Sequence, residues 1–135
     1  MVNKPIYLAA SLLAILSMLA IGASANISVF AQSDKVQATI VPGASTLTDT
    51  SYSPNPIEVS VAQTIVWTND DSAFHTVTSG SAGSPDAGKA FDSGLAGPTA
   101  LTTKGKTFEH KFDTAGEYPY FCTLHPAMVG TVIVK

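Results

Sequence analysis

The sequence contains no arginine, a single cysteine and no run of basic residues. All seven of its cationic side chains are lysines, set against ten acidic residues. Without a basic cluster the chain lacks the electrostatic footprint that nucleic acid or an anionic lipid surface requires, so neither is expected as a partner. One cysteine excludes a disulfide within the chain. Cys122 is then an inert buried thiol, half of an intermolecular bridge, or a metal ligand. Internal repeats are absent. No amphipathic helical stretch longer than two turns occurs after residue 31, which argues against a helical bundle or a solenoid.

What is present begins with an apolar leader. Lys4 is the sole early charge, and Ile6 to Ile21 is broken only by Ser11 and Ser17. Two small-x-small patterns follow, Ala23-Ser24-Ala25 before Asn26 and Val29-Phe30-Ala31 before Gln32. A positive start, an apolar run and a small-residue exit describe a secretory signal peptide. The same stretch, Ile6 to Ala31, is long enough to remain as a membrane anchor, since about 20 apolar residues cross a bilayer. The expected organisation is therefore 1–31 as signal peptide or anchor and 32–135 as one domain. The protein is expected to be exported, to the periplasm or to the extracellular, cell-surface side of a membrane. It would touch the membrane only if the N-terminal segment is retained. Loss of that segment leaves six lysines against ten acids, a net charge of −4. That mildly acidic surface suits a cationic or neutral protein partner, and a monomer is expected.

Beyond residue 31 the apolar pattern has period two, in short runs bounded by turn residues. Val36 to Ile40 and Ile57 to Val61 alternate, and Thr64 to Thr68 is β-branched and aromatic. Asn69-Asp70-Asp71-Ser72 reads as a turn, and His75 to Ser79 as a further short strand. Thr107 to Phe112, Gly116 to Cys122 and Gly130 to Val134 complete the set, with a short edge strand at Phe91 to Leu95. Seven or so such strands predict an all-β antiparallel sandwich or barrel. Asp113-Thr114-Ala115-Gly116-Glu117-Tyr118 has the form of a tyrosine corner, with Tyr118 as the tying residue.

The chemistry is concentrated in Phe121-Cys122-Thr123-Leu124-His125-Pro126-Ala127-Met128-Val129-Gly130. A thiol, an imidazole and a thioether stand at three-residue spacing between the end of one strand and the start of the next. A tight loop can turn all three toward one centre. Thiolate with imidazole suits copper or zinc, and a thioether favours copper. A distant second imidazole would complete a trigonal His₂Cys set with a weak axial methionine, the geometry of blue-copper sites. His75 follows a turn and opens a strand, so it can project from a strand end toward the loop. His110 lies between Phe108 and Phe112 on one face of a period-two run and is read as a partly buried structural histidine, not a ligand.

The spacing of Cys122, His125 and Met128 resembles the short ligand loop of amicyanins. Tyr52 to Val59, the Trp67 to Asp71 turn before His75, and Phe91-Asp92-Ser93-Gly94 resemble prokaryotic plastocyanin/amicyanin-type cupredoxins, from about Val36 to Lys135. The resemblance implies a Greek-key β-sandwich of seven to eight strands with one type 1 copper ion. It further implies His75, Cys122 and His125 as equatorial ligands and Met128 as the axial one. Many of these relatives carry asparagine directly after the first histidine. Here that residue is Thr76, a hydroxyl with one donor in place of an amide with two, and groups that touch the ligands tune the metal.

The function expected from these residues is one-electron transfer at a type 1 site, cycling copper between Cu(I) and Cu(II), with exported or membrane-bound redox proteins as partners. Leu124, Pro126, Ala127 and Val129 would frame His125 with an apolar docking patch. An alternative is redox chemistry on a small molecule such as nitric oxide, which needs an open copper position beside an ill-placed Met128. Copper storage or delivery is a third reading. It lacks the methionine-rich or histidine-rich segments such proteins commonly use, since Met1, Met18 and Met128 are the only methionines.

Overall fold

The structure is a computed structural model, and it describes residues 33–135. The export segment expected at 1–31 lies outside the described residues. Among the described residues, no helix is long and apolar enough to cross a membrane.

Among the described residues, eight strands build two four-stranded sheets. In chain order they are β1 (Lys35–Ile40), β2 (Tyr52–Ser53), β3 (Ile57–Val59), β4 (Thr64–Asn69), β5 (Thr78–Ser79), β6 (Thr107–Lys111), β7 (Gly116–Phe121) and β8 (Val129–Val134). One sheet runs β2-β1-β4-β6 and the other β3-β8-β7-β5. This is the expected Greek-key sandwich, with one correction to the strand directions. The sheets are mixed rather than purely antiparallel, because β1 pairs with β4 and β3 with β8 in parallel. Strand β2 stays beside β1 while β3 joins the opposite sheet, so the chain crosses between sheets before β4 returns alongside β1.

The core follows the alternation. Ala38 and Ile40 of β1, Ile57 and Val59 of β3, and Val132 and Val134 of β8 are buried at every second position. Trp67 of β4 is wholly enclosed. Its ring lies 5.8 Å from Phe91 and 5.7 Å from Phe108 in stacked contact, and 5.6 Å from Tyr120 edge-on. Offset and edge contacts of this kind add to the area that aromatic rings bury. The tyrosine corner is present, with the Tyr118 hydroxyl donating to the Thr114 carbonyl at 2.7 Å.

His75 to Ser79 behaves differently from the expected strand. Only Thr78–Ser79 is sheet, and His75 forms an isolated bridge with Leu101. The backbone donors explain why. His75 N–H goes to Leu101 O at 3.2 Å, Thr76 N–H to Cys122 Sγ at 3.3 Å, and Val77 N–H to the Ser93 hydroxyl at 3.0 Å. Three successive peptides are thus satisfied at three separate places, two in the β5–β6 connection and one at Cys122, and no ladder forms. Phe91 to Leu95 likewise supplies only a bridge, between Thr78 and Asp92. The long segment between β5 and β6 is nevertheless tied down, with Ser79 Oγ accepting from the amides of Ala90 and Phe91. These ties hold it over the end of the sandwich where β7 delivers Cys122.

Candidate metal centre

Cys122 follows the last residue of β7, and β8 begins at Val129. The loop between them is closed by two backbone bonds. Cys122 N–H donates to Met128 O at 3.1 Å, and Met128 N–H donates to His125 O at 2.9 Å. A short segment closed in this way has little freedom, so the positions of Cys122, His125 and Met128 are coupled. Cys122 and Met128 are wholly buried, whereas His125 is half-buried.

His75 arrives from the other side of the sandwich end, after the turn that follows β4. Asn69 shapes that turn: its amide donates to Ala73 O and Leu101 O, and its carbonyl accepts Asp71 N–H. The turn presents the Asp71 carboxylate to the His75 ring, with Oδ2 2.7 Å from Nε2. The other oxygen, Oδ1, accepts the amides of Ser72 at 2.8 Å and Gly43 at 3.2 Å. Asp71 is held down to about 2, first by the His75 hydrogen bond and then by these two amides, against the opposing effect of burial. An ionised Asp71 accepts only, so His75 Nε2 carries the proton and Nδ1 presents its lone pair. That nitrogen faces Cys122.

The donor atoms of His75, Cys122 and His125 all lie within 4.8 Å of one another. Cys122 Sγ is 3.9 Å from Nδ1 of His75 and 3.6 Å from Nδ1 of His125. Bond lengths of about 2.3 Å for thiolate and about 2.0 Å for imidazole, spread trigonally around one first-row ion, put sulfur and nitrogen about 3.7 Å apart. The two separations bracket that figure, so the donor set fits a single ion. His110 lies elsewhere, packed 5.0 Å from the ring of Phe91 and 4.8 Å from that of Phe112.

The family of copper-binding proteins that includes plastocyanin and azurin matches residues 40–135. The chain belongs to that family. It is 35% identical over 86 residues to the chloroplastic plastocyanin of Tetradesmus obliquus and 32% identical over 88 residues to the amicyanin of Paracoccus versutus. Each match covers 62% of this chain and 58% of the relative's length. Among solved structures it is similar to a purple cupredoxin from Nitrosopumilus maritimus, at 36% identity and a TM-score of 0.57. That match covers 74% of this chain and 99% of the other. As a cupredoxin with a His-Cys-His cluster, the protein has a single copper ion as its cofactor.

Around the cluster, several contacts were not legible in the sequence. Tyr52 OH donates to Thr76 O at 2.7 Å, pinning the segment that carries His75. Burial, then the nearby Cys122 and Tyr120, push the Tyr52 phenol far above its ordinary value, so it remains a donor. Thr76 was read as a weaker donor in place of asparagine. Its hydroxyl instead accepts, receiving the Thr123 amide at 2.8 Å. Asp71 stands four residues before His75 in a stretch read only as a turn, and that spacing was the available signal.

Proposed function

We propose that His75, Cys122 and His125 hold the copper, that Met128 supplies the axial thioether, and that the protein carries single electrons between redox partner proteins. The observation that carries this reading is the convergence of two imidazole nitrogens and one thiol sulfur within 4.8 Å at the buried end of the sandwich. Bound there, copper supplies one-electron exchange between Cu(I) and Cu(II). The chain's part is to keep the donors where they are in both states. The loop bonds fix Cys122 relative to His125, and Asp71 fixes the ring of His75.

The half-buried His125 is the ligand nearest solvent, and it offers the short way in or out for an electron. Leu124 and Val129 beside it are 44% and 40% exposed. Apolar side chains grouped around a ligand suit brief docking of a partner protein better than they suit water. Residues 1–31 serve export in this reading, delivering the domain 32–135 to the periplasm or the outer face of a membrane.

Copper added to the protein is expected to give an intense visible thiolate-to-copper band and to accept one electron reversibly. Cys122→Ser should abolish the band and His75→Ala should impair it, while His110→Ala should leave it nearly unchanged. A band that survives Cys122→Ser, or is lost only in the His110 variant, refutes the ligand assignment.

A further inference from the structure

Beneath the ligand loop runs a line of hydroxyls that ends on a carboxylate. Thr76 Oγ1 accepts the Thr123 amide at 2.8 Å and lies 3.0 Å from Thr78 Oγ1, which lies 2.9 Å from Asp92 Oδ1. Thr123 Oγ1 also lies 3.2 Å from Thr76 Oγ1. Thr76 and Thr78 are buried, and Asp92 stands at the exposed end. Thr78 has one hydroxyl proton and two acceptors within reach. The carboxylate is the stronger of them and can only accept. The Thr78 hydroxyl thus bridges Thr76 Oγ1 and Asp92 Oδ1, donating toward both. Thr76 Oγ1 accepts from the Thr123 amide on one side and from Thr78 on the other, Asp92 holds the Thr78 hydroxyl in place, and linked bonds of this kind strengthen each member.

Thr76 grips both sides of the Cys122–Thr123 peptide. Its amide donates to Cys122 Sγ at 3.3 Å, and its hydroxyl receives Thr123 N–H. Asp92 is itself held by the Gly94 amide at 3.0 Å. Gly88 leaves room for it, since a Cβ there would stand 3.2 Å from Asp92 Oδ2. We propose that Asp92 is a positioning residue for the Cys122 ligand loop, anchoring through Thr78 the buried threonine pair that holds the Cys122–Thr123 peptide against Thr76. The effect on copper rests on the function proposed above, but the effect on the peptide does not.

The test has two arms. In the metal-free protein, amide hydrogen exchange at Thr123 is compared with that at Val132 as an internal reference. Thr78→Val removes the hydroxyl at constant shape and should speed Thr123 exchange about tenfold, while Thr78→Ser keeps wild-type protection. Asp92→Asn removes the charge and should give a smaller acceleration of the same sign. In the copper-loaded protein, Thr78→Val and Asp92→Asn should shift the thiolate-to-copper band and the reduction potential, and Thr78→Ser should restore both. Should Thr78→Val not fold, Asp92→Asn at the exposed end decides the matter. Wild-type Thr123 exchange in Asp92→Asn overturns the role of Asp92, as does Thr78→Ser behaving like Thr78→Val. A wild type that binds copper without a thiolate band refutes the function instead, and leaves the exchange arm to judge the chain.

Discussion

Asp71 Oδ2 and His75 Nε2 lie 2.7 Å apart within one turn, and both oxygens of the carboxylate are engaged. Its second oxygen already receives two backbone amides. In Asp71→Asn the side-chain NH₂ must therefore face either those amides or the His75 N–H, a donor against donors in both orientations. Replacing a group that orients a metal-binding histidine typically costs about 10- to 100-fold in metal affinity. Chelator competition on Asp71→Asn should show a loss in that range, together with a lower melting temperature of the metal-free protein. Copper affinity within about twofold of wild type would mean that the turn alone orients His75.

Gly130 faces Tyr120 across β7 and β8, and the tyrosine ring occupies the space a side chain would need. A Cβ at Gly130 would lie 2.6 Å from the Tyr120 hydroxyl oxygen and 2.8 Å from its Cε1. The ring cannot swing aside, because Tyr52 packs 4.7 Å from it and Trp67 5.6 Å. Gly130→Ala should thus destabilise the domain by about 1–3 kcal/mol, the usual range for overpacking. Denaturant unfolding of the metal-free protein measures this, and an unchanged midpoint would show that β8 can slide away from the ring.

His110 gives the fold a pH dependence separate from the ligands. Burial against Phe91 and Phe112 lowers its pKa below the ordinary 6.5, only partly offset by the negative charge of Asp113. The unfolded chain then takes up a proton at a higher pH than the folded one does. The stability this neutral ring contributes is present above about 6.5 and is lost as pH falls from there toward the lower folded value. Between pH 7.5 and 5, the metal-free wild type should lose more stability than His110→Gln does. Taking the difference between the two proteins isolates the contribution of His110. Parallel curves would show that His110 titrates alike in both states.

How far the sequence carried these conclusions depended on distance along the chain. The meeting of Cys122 and His125 was legible because one short loop holds both, and its backbone bonds join them through Met128. Strands β1, β3 and β8 were legible because their alternation is the burial itself. His75 to Val77 misled, since a β-branched alternating run normally pairs with a neighbour, whereas these peptides donate to a carbonyl, a thiol and a hydroxyl at three separate places on two other segments. The threonine chain was beyond reach for the same reason. Thr76 with Thr78, Asp92 and Thr123 meet only after the Greek key has brought three segments to one end, and no local pattern marks segments that far apart.

The last prediction concerns Met128 and decides between a carrier and a catalyst. Its side chain is wholly buried, and its backbone is bonded to both Cys122 and His125. In the proposed function its thioether is the axial ligand, where a soft weak donor tunes the reduction potential. Glutamine, the next weak axial donor, is polar and harder. Met128→Gln should accordingly shift both the visible spectrum and the potential, with the copper still bound. The sealed position also predicts that azide, added to the wild type, leaves the thiolate-to-copper band where it was. The contrary pair of results would be a wild type perturbed by azide and a Met128→Gln variant indistinguishable from it. In that case the copper would have an open position, and redox chemistry on a small molecule would replace electron transfer as the function these residues serve.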